Sequence, residues 1–333
     1  GRPEGGLRMT IRFSNLLKSA LLATVAVTGG LLAMPATSQA AGKNVLWVQP
    51  MRDHPVHRLM QAGFLEKCKE LGNTCEVVGN PSSTNYDVSA SIPLAEAAMA
   101  RTKFDAIAVY GPGPEIFPFI GKLGKEGFPV VTWHVLPPEG SVPGLKAAVG
   151  EDIPSAGQSA AIAMGEKMNG KGVIALTQGS SNDTENVMAD SFRKTMAERF
   201  PDIKILDTQM EGFEPSAAEA KAVALLQGNP DVTAAFSTTG NGAQTWSGAA
   251  RKADRPLVII GMDYIRQNLD LVKSGAAYGV VAQPLYEESA KTAELANDLA
   301  EGKEVPYLNP LPAGVITAAD LDPYYAMLDR AGQ

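Results

Sequence analysis

Residues 44–64 read NVLWVQPMRDHPVHRLMQAGF, and this stretch decides the fold. Asn44–Gln49 is a short apolar run with the look of a strand buried on both faces. A polar turn follows. Pro55 then opens a helix over Val56–Leu71, where proline at the first position is preorganised. Its apolar positions, Leu59, Met60, Gly63, Phe64 and Leu71, recur at helical spacing. Strand, polar loop and amphipathic helix in that order make the first half of a βαβ unit. Moving outward, Cys75–Val78 is the next strand and Ser89–Arg101 the next helix, with Pro93 tolerated in its first turn. Ala106–Tyr110 (AIAVY), Glu115–Glu126 and Pro129–Trp133 (PVVTW) continue the alternation. This is a parallel sheet wrapped by helices.

The pattern then restarts. Ile153–Met168 is helical, Gly172–Leu176 a strand, Asn182–Phe200 a helix and Ile203–Gln209 a strand. Pro215–Leu226, Ala234–Ser237, Leu257–Gly261, Ile265–Lys273 and Tyr278–Val281 complete the unit. Helix Leu285–Glu301, a short strand at Val315–Ile316 and a terminal helix from Asp322 close the chain. The expected class is α/β, with two similar doubly wound parallel-sheet lobes and a cleft between them. Ligands of open parallel sheets sit beyond the carboxyl ends of the strands. Those ends hold all three His of the chain in the first half, at His54, His57 and His134. In the second half they hold amides, hydroxyls and Asp263.

Met9–Ala41 has the pattern of a secretory signal peptide. Arg12 and Lys18 precede an apolar run over Ala20–Ala33, Pro35 breaks it, and Ser38-Gln39-Ala40 places small residues before a cut near Ala40. Residues 1–8 precede the expected start at Met9. Cutting after Ala40 leaves 293 of 333 residues and removes four cations and one anion, so the formal charge of −7 becomes −10. An acidic exported chain repels nucleic acid and anionic lipid, so neither is an expected partner. Cys68 and Cys75 are the only cysteines. In an oxidising compartment they are expected to bridge a helix-to-strand turn.

Seven segments in order resemble the periplasmic sugar-binding proteins of the ribose-binding type, which serve ABC importers. They are MRDHPVHRLMQAGF (51–64), FDAIAVYGPGP (104–114), FPVVTWH (128–134), EGFEP (211–215), AAFSTTGNGA (234–243), VIIGMDY (258–264) and VVAQP (280–284). The resemblance covers residues 43–316. It implies the type I periplasmic-binding fold, lobe 1 from 41–150 and 284–311, and lobe 2 from 151–283 and 312–333. The chain would cross a hinge near Gly150, Gln283 and Leu311. It implies a pocket of His54, His57, Tyr110, His134, Asn186, Phe213, Thr239, Asn241, Asp263 and Gln283. His134 falls where many members have an Asp, and Asn186 where many have an Arg that bonds the sugar ring. The usual charged pair is therefore absent, and a standard pentose is not expected. The implied role is capture of a monosaccharide, polyol or related derivative by lobe closure and delivery to an inner-membrane permease. The protein would be a periplasmic monomer with no cofactor and no catalysis.

Other readings of the same residues stay open. His54 and His57 also suit a helix cap beside Pro55, and with His134 and Asp263 they suit a zinc site of an exported hydrolase. Asp263 suits the cap of the following helix, Phe213 the core, and Glu151 and Asp152 the start of a helix. GPGPE at 111–115 lacks the Lys-Ser/Thr of a P-loop. A receptor for signalling, or for a sugar-like autoinducer, would share these features. A DNA-binding relative of the fold would need a helix-turn-helix where the leader stands.

Overall fold

The computed structural model describes residues 42–82 and 87–333. The expected leader and its cleavage point lie outside the described residues. Among the described residues, no helix is long and apolar enough to cross a membrane.

The first sheet has the order β12-β5-β4-β3-β1-β2. Its strands are β1 (Asn44–Val48), β2 (Thr74–Val78), β3 (Ala106–Tyr110), β4 (Val130–Trp133), β5 (Leu145–Asp152) and β12 (Leu308–Pro312). All its pairings are parallel. Helices α1 (Pro55–Glu70), α2 (Ile92–Arg101), α3 (Phe117–Lys125) and α9 (Leu285–Ala300) cover it. Trp47, on β1, stacks between Phe64 of α1 and Trp133 of β4, at 4.3 and 3.5 Å between ring centroids.

The second sheet has the order β13-β11-β10-β9-β6-β7, with β8 on β6. Its strands are β6 (Gly172–Gln178), β7 (Ile203–Ile205), β8 (Gln209–Met210), β9 (Val232–Ser237), β10 (Val258–Met262), β11 (Gly279–Val281) and β13 (Val315–Thr317). Only β13 runs antiparallel. Helices α4 (Ile153–Lys167), α5 (Asp183–Arg199), α6 (Pro215–Gly228), α7 (Gly242–Lys252), α8 (Arg266–Ser274) and α10 (Leu321–Arg330) complete the chain.

Both sheets begin with one arrangement: the first strand sits between the second and the third. Parallel crossovers of this order create a switch point between first and third strands, where two loops diverge and leave a crevice. Those loops follow β1 and β3 in one lobe and β6 and β9 in the other.

Two glycines set the closest helix contacts. A Cβ on Gly63 of α1 would stand 2.3 Å from the Tyr286 carbonyl oxygen of α9, and one on Gly157 of α4 would stand 2.3 Å from that of Met188 on α5. Only glycine permits these approaches.

Three elements were not expected from the sequence, and one expected strand takes a different form. Strand β5 was not expected, because LKAAVGED lacks a β-branched run. Strand β12 reads LNPLP, and its two prolines argue for a loop; it is an edge strand, where a missing N–H is tolerated. Helix α7 opens with Gly242 and carries Thr245, Ser247 and Gly248 in its middle, yet its buried face holds Trp246 and Ala249. The single strand expected at Ile203–Gln209 is two short pieces, β7 and β8, on the same neighbour, β6.

The chain passes from the first sheet to the second after β5, returns between β11 and α9, and passes again between β12 and β13. Cys68 and Cys75 are joined, their Cα atoms 6.3 Å apart, and the bond ties the last turn of α1 to β2.

Candidate functional site

Each lobe sets its part of the site through the turn that ends a strand. After β1, Pro55 starts α1 and His54 becomes its N-cap, its Nδ1 accepting from the Val56 N–H at 3.2 Å. The cap reading is thus what His54 does locally. One turn on, His57 is buried, 5% exposed, with an unpartnered Nδ1. Its ring meets Tyr110 edge-on at 5.2 Å and His54 at 5.9 Å. Burial, then the neighbouring His54 and His134, pulls the His57 pKa down to about 4, so it is a neutral imidazole near neutral pH.

Tyr110, ending β3, stacks on His134 at 5.6 Å and 22°. His134 follows β4 with a left-handed φ of 82°, which turns its ring back over the sheet end. Its Nδ1 donates to Glu288 Oε1 at 2.9 Å. Burial alone would lower the His134 pKa, but the charge and hydrogen bond of Glu288, with Glu151 and Asp263 behind it, raise it.

Glu151 is the last residue but one of β5 and Glu288 lies in the first turn of α9. Both are buried, 9% and 0% exposed. Burial pushes Glu151 up to about 8, with Asp263 and Glu288 adding and His134 opposing. Burial also raises Glu288, against His134. The sequence reading named Glu151 and missed Glu288. Its signal was a carboxylate on the buried stripe of α9, among Leu285, Ser289, Thr292 and Ala293.

In the second lobe, Asp263 follows β10 with φ 71°. It caps nothing: Ile265 is the N-cap of α8 and makes no side-chain bond there. Burial pushes Asp263 up to about 6, against the charge of His134. Part of its surface still opens on a cavity of about 480 Å³, shared with Gln283, Val56, Leu59 and Ile265. Asp263 and His134 thus bring charge from both lobes to one place.

Phe213 is 59% exposed and is not core. It lies over Gly179, where a Cβ would stand 2.5 Å from its ring and 2.9 Å from Thr239 Oγ1. Gly179 thus leaves room for both the Phe213 ring and the Thr239 hydroxyl. Glu211 fixes this loop: its N–H donates to the Gln178 carbonyl, and its Oε2 accepts from Thr177 and Ser237. Asn186 Oδ1 accepts from Gln178 Nε2 at 2.9 Å. Glu185 accepts from the Gly179 N–H and the Thr238 hydroxyl, both at 2.8 Å. Neither Glu185 nor Glu211 was singled out from sequence, although Asn182-x-x-Glu185 has the pattern of a helix capping pair. Asn241 is exposed, at the start of α7, and makes no capping bond; Gln283 is half-buried in the crossing to α9.

The structure thus brings His54, His57, Tyr110 and His134 into one ring cluster, and Phe213 and Thr239 beside the same glycine, Gly179. Asp263 is electrostatically coupled to His134, and Gln283 shares its cavity. Among the described residues, no group of three or more His, Cys, Asp or Glu is placed to hold a metal ion.

A family model described as a periplasmic binding protein domain matches residues 45–304. The chain belongs to this family. Among curated relatives, a D-apiose import binding protein of Actinobacillus succinogenes is 24% identical over 250 residues, covering 73% of this chain and 77% of that one. A xylitol-binding protein of Mycolicibacterium smegmatis is 23% identical over 235 residues, covering 70% of this chain and 66% of that one, just under two thirds of its length. Among solved structures, a glucose-galactose binding protein from Geobacillus stearothermophilus aligns with TM-score 0.66 and 25% identity, over 84% of this chain and 99% of that one. A periplasmic solute-binding protein of an ABC transporter from Actinobacillus succinogenes, solved with bound D-allose, aligns with TM-score 0.69 and 23% identity, over 85% and 100%. Such likeness carries the fold of two parallel-sheet lobes. These relatives of the periplasmic binding protein domain are named as binding proteins. In this member, the strand-end loops at both switch points carry polar and aromatic groups suited to a small polar ligand.

Proposed function

We propose that this protein is the exported solute-binding component of an ABC importer, and that it captures a monosaccharide or polyol-like ligand by closing its lobes. The observation that carries the reading is the matching of two faces. Lobe 1 offers His57, Tyr110 and His134; lobe 2 offers Phe213, Thr239, Asn186 and Asp263. A sugar presents hydroxyls that both donate and accept, and an apolar C–H face. Imidazole, amide and carboxyl groups serve the first, and an exposed phenyl ring serves the second. The relatives that bind apiose, xylitol and allose support the same class. On this reading the crossings near Gly150, Gln283 and Leu311 are the hinge. Closure presents a new surface to a membrane permease, and the working form is a monomer.

Thermal unfolding against pentoses, hexoses and polyols tests this. A ligand at about a hundred times its dissociation constant adds about 2.7 kcal/mol. Phe213→Ala should weaken that ligand about tenfold, the scale of a lost aromatic contact. A panel in which no polyhydroxy compound shifts the midpoint would defeat the reading. Undiminished affinity in Phe213→Ala would remove the stacking face from it.

A further inference from the structure

The cleft floor holds more acid than base. His134, Glu151, Glu288 and Asp263 act on one another, and among the described residues His134 is the only basic group acting on Asp263 or Glu288. Among the described residues, none of the three carboxyls has an ion pair with Lys or Arg. Glu288 spends one oxygen on His134. Its Oε2, the Oε1 of Glu151 and the Oδ1 of Asp263 are buried without a hydrogen-bond partner. A buried oxygen left unpaired costs about 1–3 kcal/mol, so three converging on one place call for donors from outside the protein.

We propose that the ligand of this cleft carries an amine, and that Glu151 and Asp263 receive its ammonium while His134 stays paired with Glu288. The inference rests on the cleft being the ligand site described above, and it names the class: an amino sugar or an amino polyol. Three lines favour an ammonium over a plain hydroxyl. It donates three hydrogen bonds from a single atom. It supplies the missing positive charge beside two carboxyls. And, among the described residues, no Lys or Arg side chain pairs with either carboxyl, so no cation of the protein competes for them.

The groups facing the cluster define its pH response. They are Asp152 beside Glu151 on β5, His57 and His54 on α1, Tyr110 on β3, Glu287 on α9, and Tyr264 after Asp263. None is a fixed cation. Glu151, pushed up to about 8, holds its proton near neutrality, while Asp263, at about 6, has mostly lost its own; an arriving ammonium ionises Glu151. Amine binding therefore releases protons and tightens as pH rises from about 6 to 8. A neutral polyol that accepts from the protonated Glu151 would weaken over the same range.

The test compares matched pairs at equal ionic strength: D-glucosamine with D-glucose, D-galactosamine with D-galactose, and glucamine with sorbitol. Thermal unfolding and titration calorimetry are run at pH 6, 7 and 8, the calorimetry in two buffers of different ionisation enthalpy. The expected result is one pair whose amine binds at least about tenfold tighter than its neutral partner at pH 8, with proton release. Glu151→Gln should lose that preference while keeping the far-ultraviolet spectrum of the parent. If neutral sugars bind and no amine binds tighter, the proposal fails and sugar capture stands. If neither class binds, both fail. An amine preference that survives both Glu151→Gln and Asp263→Asn also overturns the assignment.

Discussion

Met51, His134 and Asp263 share a backbone oddity. Each is a non-glycine residue at positive φ, 44°, 82° and 71°, and each sits in a loop that leaves a strand at the cleft. Such conformations persist where the surroundings over-determine them. At His134 and Asp263 they turn a titratable side chain toward the other lobe. Glu151 gives this scale its prediction. Its folded pKa, about 8, lies above its ordinary 4.5, so the folded chain keeps a proton that the unfolded chain has lost. Stability therefore falls as pH rises from about 4.5 through 8. His134, also raised, adds to the fall; His57, lowered to about 4, acts oppositely, gaining stability up to about pH 6.5. Glu151→Gln should flatten the decline and stand above the parent at pH 9. Parallel midpoint curves for the two proteins would show that Glu151 titrates normally. Much of this site was legible in sequence: a polar residue directly after an apolar strand points to a sheet end, which exposed His134 and Asp263. Glu288 was hidden because a lone acid in a helix reads as solvated surface; only the identity of its neighbours on the helix marks it as interior.

At the scale of elements, the Cys68–Cys75 bridge closes a ring with a sequence separation of 7. Loop entropy for so small a ring corresponds to about 2–3 kcal/mol. Cys68→Ser with Cys75→Ser should lower stability by about that amount in urea titrations, with an unchanged ligand response, since α1 carries the ring cluster at its other end. A loss of ligand response at full folding would tie the bridge to the site instead. Elements with strong periodicity, such as α1 and β3, were readable to within a residue or two. Those set by partners were not. Strand β12 exists because β5 offers an open edge, and β5 exists because β4 and β12 flank it; neither fact is local to LNPLP or LKAAVGED.

For the whole molecule, neither sheet is made from one continuous piece of chain. The last segment gives β12 to the first sheet and β13 to the second, while Arg330 pairs with Glu66 on α1 at 3.0 Å. Ending the chain at Tyr307 should therefore weaken both lobes. Trp47 and Trp133 lie in the first and Trp246 in the second, all buried. In a Trp246→Phe background, fluorescence follows the first lobe alone. Its midpoint should drop by about 5 °C or more on truncation, at roughly 2–4 °C for each kcal/mol lost. An unchanged midpoint would mean that β12 is ornamental.

The late return of α9 and β12 to the first sheet also bears on how the chain is made. A polypeptide emerging from its amino end delivers β1 to β5 early, yet that sheet lacks an edge strand and the helix that packs on α1 until residues near 312 appear. Until then the face of the first sheet that α9 covers stays open to solvent. The order of the strands thus makes completion of the first lobe a late event, because its edge strand and one covering helix come from residues 285–312.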